Sequence, residues 1–86
     1  MEKEFIIANE HGVHARPATL LVSAANKFES DITITYDGIT VDLKSIMGVL
    51  SLGIKRGSLI VIRTDGPDEL LALEGISNML KEFNLR

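Results

Sequence analysis

The chain is predicted to be an α+β domain with the order β-α-β-β-α-β-α, an antiparallel sheet covered on one face by helices. Three observations support this. Asp31-Ile32-Thr33-Ile34-Thr35-Tyr36 alternates as a half-buried strand does, and Asp37-Gly38 follows it as a two-residue hairpin signal. Two other stretches carry apolar residues at helical spacing: Ala18, Leu21, Val22, Ala25 and Phe28, and later Ala72, Ile76, Met79, Leu80 and Phe83. Finally, Ser58 to Thr64 is apolar on both faces, Leu59 and Val61 against Ile60 and Ile62, which suits a central strand.

In chain order, Phe5-Ile6-Ile7-Ala8 reads as a strand buried on both faces, and Asn9 to Gly12 as the loop after it. Pro17 belongs in the first turn of the next helix, with His14 and Ala15 at or just outside its cap. Leu20 falls opposite the apolar stripe, among Thr19, Ser23 and Lys27. A type I′ turn at Asp37-Gly38 sets Tyr36 opposite Ile39, Ile34 opposite Val41 and Ile32 opposite Leu43, with all six side chains on one face. Ser45 caps a short helix running to about Leu52, ended by Gly53. Asp68 caps the last helix. Gly75 lies inside that helix at a cost of about 1 kcal/mol relative to alanine, and close packing is the one reason the sequence offers for it.

With 86 residues, the chain is expected to be one domain spanning 1–86, able to bury roughly 60–65% of its unfolded surface. No apolar run approaches a membrane span, so no membrane insertion is expected. Met1-Glu2-Lys3-Glu4 is too charged to begin a signal peptide. The absence of cysteine suits a cytoplasmic location. A net charge of −3 argues against a nucleic-acid partner.

The chemistry concentrates in Gly12-Val13-His14-Ala15-Arg16-Pro17-Ala18-Thr19. An imidazole, a guanidinium and a proline stand within four residues at the start of a helix. Ala15 brings no side-chain oxygen to the first-turn amides, which with the helix dipole favour an anion. Arg16 adds a fixed positive charge. Both disfavour imidazolium and leave His14 a free ring nitrogen near neutral pH. The pattern suggests a nucleophilic histidine in a phosphate-sized nest.

These residues, together with Lys44-Ser45-Ile46-Met47-Gly48-Val49, resemble HPr, the family of histidine-containing phosphocarriers of the bacterial sugar phosphotransferase system. The resemblance runs along the whole chain. It implies an open-faced sandwich with spatial strand order 1-4-2-3, and attack on phosphorus through Nδ1 of His14. It implies enzyme I as phosphoryl donor and sugar-specific enzyme IIA domains as acceptors. Arg16 and the amides of Ala15 and Arg16 would hold the phosphoryl oxygens, while Leu20, Lys27, Met47 and Leu50 would form the partner surface. The protein would then be a stoichiometric carrier and not an enzyme, with no cofactor. The segment around Ser45 resembles the site modified by HPr kinase/phosphorylase, which would bring a catabolite-control repressor among the partners. His11 departs from the family, which more often has a small polar residue there, and Leu50 stands where methionine is common.

Other readings remain open. His11 and His14 could form part of a metal pair, but zinc needs three or four ligands and only carboxylates such as Glu10 are near in sequence. A regulatory module acting through Ser45, with His14 secondary, is a second alternative. A small interaction domain without chemistry is a third.

Overall fold

The computed structural model describes residues 1–9, 13 and 15–84, with the backbone alone of Ala15. Asp37 and Gly38 both take positive φ, 51° and 78°, as a type I′ turn requires. The turn joins β2 (Asp31–Tyr36) to β3 (Ile39–Asp42) in the expected register, with Tyr36 opposite Ile39 and Ile34 opposite Val41. The Leu43 amide donates to the Ile32 carbonyl at 2.9 Å and carries the pairing one residue past β3. Ile32, Ile34 and Leu43 are fully buried, whereas Ile39 at the hairpin tip is exposed because the covering helices do not reach it.

The order of elements along the chain is β1 (Glu2–Ile6), α1 (Ala15–Ala25), β2, β3, α2 (Ile46–Ser51), β4 (Leu59–Asp65) and α3 (Glu69–Asn84). The sheet is antiparallel with spatial order β1-β4-β2-β3, so β4 is central as expected. Ile60 and Ile62 point under the helices and are completely buried, while Leu59, Arg63 and Asp65 face outward. A one-residue slip would expose both isoleucines and turn Arg63 inward. At about 1.5–3 kcal/mol per buried aliphatic side chain, the two isoleucines alone would cost about 3–6 kcal/mol, comparable with the whole stability of a small domain.

Several boundaries differ from expectation. The first strand covers Glu2–Ile6 and not Phe5–Ala8, and it is not buried on both faces, since Ile6 is 54% exposed. It lies at the sheet edge with one face uncovered, and β4 is long enough to pair it back to Glu2 opposite Arg63. β4 itself starts and ends one residue later than predicted.

α1 opens at Ala15, ahead of Pro17, and ends at Ala25. Phe28 therefore stands outside the helix it was expected to continue. Past Ala25 the chain tightens: the Lys27 and Phe28 amides bond to carbonyls only three residues back, at Ala24 and Ala25. Ala24, absent from the predicted stripe, is buried on the side of the core. The Phe28 ring lies across α3 at Gly75, where a Cβ would come within 2.8 Å of its Cζ. Close packing thus accounts for that helical glycine.

Asp68 precedes α3 as predicted, and its carbonyl accepts from the Ala72 amide at 2.8 Å. Its carboxylate, however, does not turn back on the helix. It accepts from the Glu29 amide at 3.0 Å, from the Ser30 amide at 2.9 Å, and from the Ser30 hydroxyl. Ser30 reciprocates by accepting from the Asp68 amide at 3.1 Å. The aspartate fastens the start of β2 to the turn before α3. The Ser30 hydroxyl first, then the two amides, hold its carboxyl below the ordinary value of 3.8.

Candidate functional site

Pro17 is the third residue of α1, where its missing N–H forfeits no helical bond. Ala18 and Leu21 are fully buried and fix which side of the helix faces the sheet. Arg16 and Leu20 then fall together on the outer side, four residues apart and both exposed. With Met79, Glu82 and Phe83 of α3 they line a groove of about 230 Å³. Just upstream, Val13 is buried and its amide donates to the Ile54 carbonyl at 3.0 Å, anchoring the chain ahead of the helix. His14, the expected phosphoryl acceptor, lies outside the described residues, as do Glu10, His11 and Gly12 of the same loop.

Ser45 is the N-cap of α2, as predicted. Its backbone is extended, at φ −105° and ψ 112°, and its Oγ accepts from the Gly48 amide at 3.2 Å. Leu52 is the C-cap and Gly53 follows with positive φ. One face of this short helix is buried through Val49, and the opposite face leaves Met47 at 74% and Leu50 at 37% exposure. The structure thus places Ser45, Met47 and Leu50 on one element and Arg16 and Leu20 on its neighbour α1. Lys27 is exposed in the turn after α1.

Asn26, which the sequence did not single out, and Lys44, named there only within the motif around Ser45, join these elements. Asn26 donates from Nδ2 both to the Val22 carbonyl of α1, at 2.8 Å, and to the Lys44 carbonyl, at 3.2 Å. Lys44 returns across the gap, its Nζ 2.8 Å from the Phe28 carbonyl. An asparagine just past a helix end is a local signal for a cap, but its second partner is eighteen residues away and has no trace in the local pattern.

Among the described residues, no group of three or more His, Cys, Asp or Glu side chains is placed to hold a metal ion. A broader hollow of about 560 Å³ lies on the uncovered sheet face, lined by Thr33, Thr35, Thr40, Arg63 and acidic residues. It contains none of the predicted site residues. Among the described residues, no helix is long and apolar enough to cross a membrane.

The open-faced sheet, the exposed arginine in the first turn of α1 and the apolar outer face of α2 agree with the architecture that the sequence resemblance implies. Comparison with known proteins makes the class specific. The family described as the PTS HPr component phosphorylation site matches residues 1–82, and the chain belongs to this family of phosphotransferase-system phosphocarriers. Among solved structures, the histidine-containing phosphocarrier protein of Mycoplasma is 39% identical with a TM-score of 0.95, covering 99% of this chain and 97% of its own. HPr-C-His from Thermoanaerobacter tengcongensis is 36% identical with a TM-score of 0.94, over 100% and 97% of the two chains. The phosphocarrier protein HPr from Bacillus anthracis is 46% identical with a TM-score of 0.87, over 92% and 94%.

Proposed function

We propose that this chain acts in the cytoplasm, as one domain over residues 1–86, accepting a phosphoryl group on His14 from phosphorylated enzyme I and passing it to a histidine of an enzyme IIA domain. The observation that supports this most directly is the exposed Arg16 in the first turn of α1, beside a position that the sequence fills with histidine. In the first transfer a lone pair on a neutral ring nitrogen of His14 attacks phosphorus. The bond to the donor imidazole breaks and its electrons return to that ring. The second transfer repeats the exchange with His14 as leaving group. Little covalent chemistry falls to the protein, which positions the group and screens its charge. The amides of Ala15 and Arg16 and the Arg16 guanidinium serve the phosphoryl oxygens at the positive end of the helix dipole. The carrier is consumed and regenerated stoichiometrically, and is not an enzyme.

Leu20, Lys27, Met47 and Leu50 form the partner surface in this reading. Exposed apolar side chains on two neighbouring helices, with Arg16 and Lys27 exposed at the two ends of α1, suit a contact made and broken with several proteins. Ser45 is the regulatory position, a substrate for HPr kinase/phosphorylase whose product a catabolite-control repressor would recognise. Its place at the head of the helix carrying Met47 and Leu50 favours such a role.

Incubation with phosphoenolpyruvate and enzyme I tests the carrier reading. His14→Ala is expected to abolish acid-labile labelling and leave the fold intact, and persistent labelling, on His11 for example, would refute the assignment. Arg16→Ala is expected to keep the melting temperature within a few degrees, since an exposed substitution typically changes stability by no more than about 0.5 kcal/mol. Transfer to enzyme IIA should slow about tenfold or more. An unchanged transfer rate would remove Arg16 from the mechanism.

A further inference from the structure

The peptide unit between Lys44 and Ser45 is held at both of its polar atoms. Its oxygen, the Lys44 carbonyl, accepts from Asn26 Nδ2 at 3.2 Å. Its N–H, that of Ser45, donates to the Asp42 carbonyl at 3.1 Å. One residue further back, the Lys44 amide donates to Asp42 Oδ1 at 2.9 Å. The bonds from Asp42 and the bond from the Gly48 amide to Ser45 Oγ are local, made within the turn and the helix that Ser45 begins. The bond from Asn26 is not local. The same Nδ2 donates to the Val22 carbonyl at 2.8 Å, so both of its protons are used and the nitrogen is tied to the last turn of α1. Lys44 Nζ, 2.8 Å from the Phe28 carbonyl, closes the same gap from the other side.

The plane of this peptide unit sets φ of Ser45, −105°, and with it the direction in which the side chain leaves the backbone. Oγ spends one lone pair on the Gly48 amide and keeps the other, with its proton, for chemistry. From this geometry we infer that Asn26 is a positioning residue for phosphorylation of Ser45. The end of α1 thereby serves as the platform on which the modified serine is presented. This rests on the reading of Ser45 as the regulated residue. In the transfer the free lone pair of Oγ attacks the terminal phosphorus of a nucleoside triphosphate held by the kinase. The bond from that phosphorus to the bridging oxygen breaks, the nucleoside diphosphate leaves, and the hydroxyl proton passes to a base of the kinase. Asn26 makes no contact with the reacting atoms in the role assigned to it. It acts through the Lys44 carbonyl, by setting Oγ before the kinase arrives.

A displacement of the order of 1 Å in a reacting group can cost up to about a hundredfold in rate. With HPr kinase/phosphorylase and a nucleoside triphosphate, Asn26→Ala should lower the saturating rate of Ser45 labelling about tenfold. The concentration of the chain for half-maximal rate should not change. Asn26→Asp keeps the shape but sets an oxygen against both carbonyls, so it should be slowed at least as much. It carries the test if the alanine variant does not fold. The Gly48 amide, whose bond reports where Oγ lies, should exchange faster with solvent in both variants. A purely structural asparagine would lower the melting temperature alone, so parental saturating rates in both variants would overturn the inference. So would slow labelling with parental Gly48 exchange and a raised half-saturating concentration, the pattern of an Asn26 that touches the kinase directly. The parent and Ser45→Ala run alongside separate the two claims. If the parent takes no phosphate, or Ser45→Ala is labelled as fast as the parent, the regulatory reading fails and the inference with it. If the parent alone is labelled and the Asn26 variants match it, only the role of Asn26 fails.

Discussion

Replacing Ser45 separates its structural task from its proposed regulatory one, because the two predict opposite patterns. Its Oγ accepts from the Gly48 amide at 3.2 Å and so satisfies one open donor of α2. Ser45→Ala removes that acceptor, at a cost of about 1 kcal/mol. For a domain of this size that lowers the melting temperature by about 4–8 °C. No charge appears, so the rate at which enzyme I labels His14 should stay at the parental value. Ser45→Asp keeps an acceptor at the cap and adds a negative charge where the helix dipole favours one by about 0.3–1 kcal/mol. The melting temperature should be unchanged or slightly raised. The new charge, however, arrives at the head of the helix that exposes Met47 and Leu50. The ammonium of the adjacent Lys44 is directed at the Phe28 carbonyl, 2.8 Å away, across the gap to the end of α1. In a docked complex the anion would be desolvated or meet like charge, and either outcome weakens binding. Initial labelling rates measured beside thermal melts should therefore show the alanine variant less stable and fully active, and the aspartate variant stable and slow. A normal rate for Ser45→Asp would refute the switch. A slow rate with a collapsed melting temperature would show damage to α2 instead.

Two further outcomes concern the scaffold. Gly75→Ala should gain about 1 kcal/mol in helix propensity but set a Cβ 2.8 Å from Phe28 Cζ, and overpacking costs about 1–3 kcal/mol. The expected result in urea unfolding is therefore a net loss of up to about 2 kcal/mol, turning into a gain in a Phe28→Leu background. A stabilised single variant would show that the ring moves aside freely. For Asp68, whose carboxyl is held below 3.8 in the folded protein, the stabilisation is present above that value and is lost as pH falls through the lower, folded-state value. Melting temperatures followed from neutral pH to pH 2 should fall less steeply for Asp68→Asn than for the parent. Parallel acid limbs would remove Asp68 from the acid response.

Local chemistry was enough wherever an element is specified by its neighbours in sequence. The Asp37-Gly38 hairpin, the Ser45 cap and the stripe on α3 needed only a turn type, a side-chain oxygen and a period. The opening of α1 was legible for the same reason, since Ala15, Arg16 and Pro17 form one turn of one helix. Phe28 and Ile6 were misplaced because periodicity cannot tell where a helix tightens to a stop, or which strand ends up at an edge.

What the amino-acid order determined unaided was the kind and order of the elements and the hairpin register. Each follows from backbone preference and from side chains a few residues apart. The partners of Gly75, Asp68, Asn26 and Asn84 were decided by tertiary structure alone. Phe28 reaches Gly75, and Asp68 reaches Ser30, only because the sheet brings the end of α1 beside α3. Asn84 meets Ala8 only because β1 pairs with β4 and α3 runs back across the sheet to finish beside it. Contacts between residues so distant in sequence depend on the assembled sheet, and no period or turn signal in the chain encodes them.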